Sequence, residues 1–391
     1  MGIGRTRTVM STVTAVLALV AVAWWSLGRP LGVDSAVYRA GGIAVLRGEP
    51  LYGHLSALPG WAPELPFTYP PFAALLFTPF AALPVQWCWG LVAMTAAPAL
   101  VLALRPYAPG AVPLLAAFGL QPVWQSVGLG QLNLVLMALV VVDVLRRRGS
   151  TGGVLIGLAA AIKLVPLIFV GHLLLTGRRA DAFRALGTFA AATGLGAVLL
   201  PADSARYWTS ALVNDHFAQM KGWVGNQSWA GFAARTAPGE VWPLAFAALV
   251  VAGAAVVVRW RHREGDDRGA LLVTAGCALL VSPISWTHHW VWIVPALGYL
   301  LAGGRRWSAL LLAALFTGWT VAVVPGGQGR ERTWTAGQAI IGNAYLLVAV
   351  AAGVLLVVAA IRGGPHPSRG ASPGPVYRPP LTKPPGKPSR D

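Results

Sequence analysis

The chain has 391 residues, of which 56% are hydrophobic and 11% charged. A soluble domain of this size carries roughly twice that charge fraction, so composition alone excludes an ordinary globular enzyme and indicates a membrane protein. The formal net charge of +17 does not point to nucleic acid, because the basic residues fall in short clusters between apolar runs, the pattern of the positive-inside rule.

The first apolar run, residues 9–27, follows Arg5 and Arg7. It is long enough to span a bilayer, which takes about 20 residues. No small-x-small cleavage site follows it, so it reads as a retained signal anchor with the N-terminus in the cytoplasm. Further basic clusters at Arg146 to Arg148, Arg178-Arg179, Arg259 to Arg263, Arg305-Arg306 and Arg362 place those span ends in the cytoplasm too.

Residues 29–70 then form a long first outer loop. In it, Val37, Ala40, Ile43, Ala44 and Leu46 describe the apolar face of an amphipathic helix lying on the outer leaflet, with Arg39, Arg47 and Glu49 on its wet side. Asp34 stands at the start of this helix. A carboxylate there either caps the helix N-terminus or is a general base mounted at the membrane surface.

Four apolar pieces follow, at 71–83, 85–104, 110–124 and 131–145. An odd number of crossings is needed to bring the chain back to the cytoplasm at Arg146, so one piece is fused to another or re-entrant. Between the pieces lie Tyr69-Pro70-Pro71 and an amide-rich stretch holding Gln121, Gln125, Gln131 and Asn133. Intramembrane amides tie helices together or offer hydrogen bonds to sugar hydroxyls.

Residues 152–176 lie between two cytoplasmic clusters and are too short for two spans. Lys163 and Pro166 break the apolar stretch in its middle. A proline removes a backbone donor, and irregular backbone at membrane depth must line a cavity or be buried in protein. A broken, dipping helix pair with Lys163 at its tip is the expectation. A lone lysine there costs about 2.5–3.5 kcal/mol on insertion scales; it snorkels to an interface or meets an anion such as a phosphate.

Spans at 183–200, 241–258, 269–287, 290–302, 308–324 and 339–361 complete the membrane domain, giving about 10–12 transmembrane or re-entrant helices within residues 1–362. The outer loop 201–240 carries Asn226-Gln227-Ser228, and the segment 282–295 carries His288-His289 among tryptophans. The aromatic belt accounts for the tryptophans; the imidazoles could donate to an anionic leaving group. No metal-ligand spacing is present, and Cys88 and Cys277, each inside an apolar run, read as packing residues. Residues 363–391, rich in Pro, Gly, Ser and basic residues, read as a disordered cytoplasmic tail.

The chain resembles glycosyltransferase family 87, the actinobacterial polyprenyl-phosphate-mannose-dependent α-1,2-mannosyltransferases of the GT-C superfamily. The resemblance rests on six motifs in order: Asp34, Tyr38, Arg39, Gly48 and Tyr52; Tyr69 to Phe72; Gly130 to Asn133; Ala161 to Pro166; Asn226 to Ser228; and Ser282 to His289. It implies an all-α, polytopic GT-C-like fold in the plasma membrane, both termini cytoplasmic and the active site facing outward. It also implies inverting transfer of mannose to a glycolipid or glycan hydroxyl, with Asp34 as the base. Lys163, His288, His289 and Arg39 are then the candidates for holding the donor phosphate. Tyr69, Gln131, Asn133, Asn226 and Gln227 are the candidates for sugar and acceptor. The donor is a polyprenyl-phosphate sugar used as substrate; no cofactor, metal or nucleic acid is expected. A GT-C enzyme using lipid-linked arabinose is the near rival, and a lipid-linked sugar flippase the distant one.

Overall fold

The computed structural model describes residues 2–145, 150–212, 220–236 and 242–362; the Arg146 to Arg148 cluster and the 363–391 tail lie outside them. The described residues are helical, with a single isolated β-bridge between Asn226 and Trp286. The helices are α1 (Gly2–Ser26), α2 (Val33–Arg47), α3 (Pro71–Phe77), α4 (Val85–Met94), α5 (Ala96–Leu104), α6 (Ala111–Ala117), α7 (Gln121–Leu129) and α8 (Asn133–Leu145). They continue as α9 (Val154–Ile162), α10 (Ile168–Leu175), α11 (Arg179–Leu199), α12 (Pro201–Arg206), α13 (Trp229–Thr236) and α14 (Trp242–Arg263). The last six are α15 (Asp267–Val281), α16 (Ile293–Ala302), α17 (Arg306–Leu315), α18 (Trp319–Ala322), α19 (Ala336–Gly342) and α20 (Ala344–Arg362).

Five stretches are long and apolar enough to cross a bilayer unaided: 4–26, 85–104, 179–199, 244–263 and 344–362. The chain is therefore a multi-pass membrane protein. The remaining apolar segments are cut into shorter pieces, because proline or glycine interrupts them. Pro283 follows the end of α15, Pro166 opens a 3-10 turn before α10, and Gly318, at φ +102°, separates α17 from α18.

The irregular element required by parity has a counterpart at α7 and α8, which meet at a bend of 118°, the geometry of a broken span or a re-entrant loop. Gly130 makes the bend, at φ +72°, where a side chain would be strained. It also lies against Ser35 and the Trp89 ring, so a Cβ has no room.

The second break is at Lys163, whose extended backbone ends α9. Asp143 secures the turn that feeds α9, its carboxylate accepting the backbone N–H groups of Gly153 and Ile156 at 2.7 and 2.8 Å. Asp143 lies ten residues along α8 from Asn133, roughly 15 Å away along the axis. The two polar clusters are thus at opposite ends of the bundle.

The helix α2 differs from the surface helix expected of its sequence. Nine of its fifteen residues are buried, because Gly41 and Gly42 let the Phe67 ring and the Phe77 carbonyl reach its backbone. Its cap is Gly32, with no side-chain capping bond, so Asp34 is not the N-cap. Arg39, expected on the wet side, is partly buried and donates from Nε to the Leu83 carbonyl at 2.7 Å.

Two cores result. The larger one joins α5 to α11 with α15, α16 and α20, around Leu100, Val141, Leu173 and Leu346. The smaller one is aromatic, with Tyr38, Tyr52, Phe67, Tyr69, Phe77 and Tyr207 packed between α2, α3 and the loop joining them. Tyr38 stacks on Phe77 at 4.4 Å between ring centres and meets Tyr69 edge-on at 5.2 Å.

Candidate active site

Each of the two backbone breaks delivers polar side chains to one point. The α7–α8 bend presents Gln131 and Asn133, and the α9 break presents Lys163. The lysine ammonium donates to Asn133 Oδ1 at 3.2 Å and lies 3.3 Å from His289 Nε2. It also sits 5.7 Å from the centre of the Tyr69 ring. An ammonium has three protons, so one remains for a ligand after Asn133 and His289 are served.

Asp34 enters the same cluster from the first turn of α2. Burial raises its pKa to about 6, while the neighbouring Gln131 side chain and the Lys163 charge both act to lower it. Burial thus leaves a carboxylate that is ionised at neutral pH yet basic enough to accept a proton. The hydroxyls of Tyr38 and Tyr69 are 2.9 Å apart and lie 3.3 and 3.4 Å from Gln131 Oε1.

The histidine pair is held by its backbone. The His288 carbonyl accepts from Ser126 Oγ at 2.9 Å and from Asn133 Nδ2 at 3.0 Å. The two imidazoles meet edge-on, 4.7 Å between centres. His289 points to Lys163, whereas both ring nitrogens of His288 are buried without a hydrogen-bond partner.

Beside the lysine lies a narrow cleft with a cavity volume of about 60 Å³. Its polar head is Asn133, Lys163, Ser285 and His289, and its walls include Met137, Val140, Phe169, Leu279 and Trp292. A cationic head joined to an apolar channel suits an amphiphile with an anionic head group.

Asn226 and Gln227 stand apart from this cluster, with their amides spent on backbone. Asn226 Nδ2 donates to the carbonyls of Lys221 and Pro283, at 3.0 and 3.3 Å, and its Oδ1 accepts from the N–H of Ser228 and Ser285 at 3.2 and 2.9 Å. Gln227 Nε2 donates to the Val224 and Gly342 carbonyls, both at 2.7 Å. Asn226 staples the 220–228 loop to the 283–287 segment that leads into the histidines, and Gln227 ties the loop to Gly342 at the end of α19. Arg39, turned to Leu83, is likewise not brought to Lys163.

Sequence reading passed over Ser126 and the hydroxyl of Tyr38 as site residues. Tyr38 had one signal, its place four residues after Asp34, which puts both on one helix face. Ser126 had none. Among the described residues no three His, Cys, Asp or Glu side chains gather as a metal site would require.

Fold and site together define a helical multi-pass membrane protein in which a buried ammonium and an imidazole head an apolar cleft, with a carboxylate beside the ammonium. The model of glycosyltransferase family 87 matches residues 67–283, and the chain belongs to that family; it is a glycosyltransferase. It is 36% identical to a polyprenol-phosphate-mannose-dependent α-(1-2)-phosphatidylinositol mannoside mannosyltransferase of Mycobacterium tuberculosis H37Rv, over 92% of this chain and 93% of that one. It is 34% identical to the protein of that name from Mycolicibacterium smegmatis, over 91% of each. A polyprenol-phosphate-mannose-dependent α-(1-2)-phosphatidylinositol pentamannoside mannosyltransferase of M. tuberculosis CDC 1551 is 32% identical over 75% of each chain. No solved structure matches.

Proposed function

We propose that the protein transfers mannose from a polyprenyl-phosphate donor to a hydroxyl of a phosphatidylinositol mannoside or related glycolipid, inverting the anomeric centre to form an α-1,2 linkage. The observation that carries this reading is the placement of Asp34 beside Lys163, which with His289 heads an apolar cleft. A polyprenyl phosphate has the matching form, an anion on an apolar chain. The relatives named above supply the sugar and the acceptor class.

In this mechanism Asp34 takes the proton of the acceptor hydroxyl as its oxygen attacks the anomeric carbon. The bond from that carbon to the phosphate oxygen breaks, and the electron pair leaves with the phosphate. Charge grows on the departing phosphate, so the free Lys163 proton stabilises the transition state more than the ground state. His289 and Asn133 aim the ammonium.

The site faces the outside of the plasma membrane and both termini are cytoplasmic. The arginines support this orientation: Arg5 and Arg7, Arg178 and Arg179, Arg259 to Arg263, Arg305 and Arg306, and Arg362 all lie at helix ends that alternate with the site-bearing end. Donor and acceptor are then lipids reaching the site from the bilayer.

The test uses membranes holding the wild-type chain, Asp34→Asn or Asp34→Ala, supplied with polyprenyl-phospho-mannose and a phosphatidylinositol mannoside. The wild type forms a mannosylated product and both variants lose it. Normal product from both variants would remove Asp34 from the base role. Product with a lipid-linked arabinose donor alone would change the sugar, and movement of intact lipid without a new glycosidic bond would make the chain a flippase.

A further inference from the structure

The cluster contains a second arrangement behind the reacting groups. Gln131 is buried, and its amide oxygen faces two phenol hydroxyls, Tyr38 at 3.3 Å and Tyr69 at 3.4 Å. The hydroxyls are 2.9 Å from each other, so one donates to the other and the pair still has a proton for Gln131. Burial first, and with it the nearby Asp34 charge, keeps both phenols protonated and able to donate. A hydroxyl proton donated to the amide oxygen favours the turn of the amide that leaves its NH2 free of the phenols. The reversed amide would place its oxygen against the Asp34 carboxylate, acceptor against acceptor.

We propose that Tyr38, Tyr69 and Gln131 form a positioning relay for Asp34, in which the phenols lock the Gln131 amide so that its NH2 faces the carboxylate and orients it toward the acceptor. The proposal rests on the base role of Asp34 given above. Gln131 and Tyr69 then act through Asp34, not as sugar ligands. Phe77 packs against both phenols, stacked on Tyr38 and edge-on to Tyr69.

Other charged groups near Asp34 have separate roles. Lys163 faces it from the α9 break, with His289 behind the lysine. On α2 itself Arg39 is turned to the Leu83 carbonyl, and Cys88 of α4 to the Phe80 carbonyl. The neutral relay is therefore the local source of hydrogen bonds to the carboxylate.

The test compares pH–rate profiles of wild type, Gln131→Leu and the double variant Tyr38→Phe/Tyr69→Phe in membranes. Losing a hydrogen bond to the charged form raises the pKa of a carboxylate. The acid limb of kcat should move up by about one pH unit in Gln131→Leu, and by less in the double variant, whose amide is free to turn. A merely structural role would lower kcat at every pH and leave the limb in place. For variants too slow to assay, labelling of Asp34 by a hydrophobic carbodiimide, which attacks protonated carboxyls, gives the same midpoint by mass spectrometry. An unmoved midpoint in both variants overturns the relay. If Asp34→Asn is inactive and the midpoint is unmoved, the relay alone fails; if Asp34→Asn is active, the base role fails.

Discussion

Lys163 Nζ lies 3.3 Å from His289 Nε2, across 126 residues of sequence. The ammonium donates, so the imidazole is held with Nε2 as acceptor and its proton on Nδ1. With Asn133 Oδ1 as the second partner, the lysine is fixed in direction before any substrate arrives, which is what electrostatic preorganisation requires.

Lys163→Met keeps the length of the side chain and removes the charge. We expect kcat/KM to fall about 100- to 1,000-fold, with most of the loss in kcat, while the protein is still extracted as a monodisperse species. Steady-state assay with varied donor checks this. Unchanged kcat would remove Lys163 from the departing phosphate.

The pH dependence follows from Asp34. Its pKa is raised by burial to about 6, and the base works only when ionised. Activity should therefore be level above about pH 7 on the acid side of the profile and fall tenfold per unit below 6. A profile flat down to pH 4.5 would contradict this.

Asn226→Ala removes four hydrogen bonds to backbone groups that are otherwise buried. The cost is about 2–4 kcal/mol, because unsatisfied buried groups are left behind. A lower thermal midpoint in detergent, together with a lower kcat from a loosened His289 segment, is the expected result. An unchanged midpoint would show that the staple is dispensable.

Gly153→Ala tests the opposite end of the bundle. Gly153 has φ +92° and lies against the Asp181 carbonyl, where a Cβ would collide with backbone. Strain and clash together should cost more than the ~1 kcal/mol of a glycine-to-alanine change at an ordinary site. Reduced yield of folded protein, measured by size-exclusion profile, is expected, with catalysis normal in the fraction that folds.

Much of the site was legible in the sequence because its residues violate the rule of their surroundings. A lysine in an apolar run, two amides beside a glycine and two histidines in a tryptophan belt are each costly unless used. That logic located Gln131, Asn133, Lys163 and His289, which do converge, while Asp34 came from its place at the start of α2 and from the family resemblance. The same logic put Asn226 and Gln227 among the sugar and acceptor candidates, whereas in the structure their side chains bond backbone groups. Residue type shows that a buried amide has a partner; it does not show whether the partner is backbone or ligand.

The amino-acid sequence by itself determined the membrane class, the break at Lys163 and the need for one irregular element between residues 71 and 145, since apolar length, proline and charge parity are properties of the chain alone. Only the tertiary structure decided that the chain bends between α7 and α8 at Gly130, that α2 is buried and not laid on a surface, and that Tyr38 stands behind Asp34. Those depend on close approaches, Phe77 to Gly42 and Ser35 to Gly130, between segments far apart in sequence. The head of the cleft exists because two broken helices place their ends together, and no local pattern records which ends will meet.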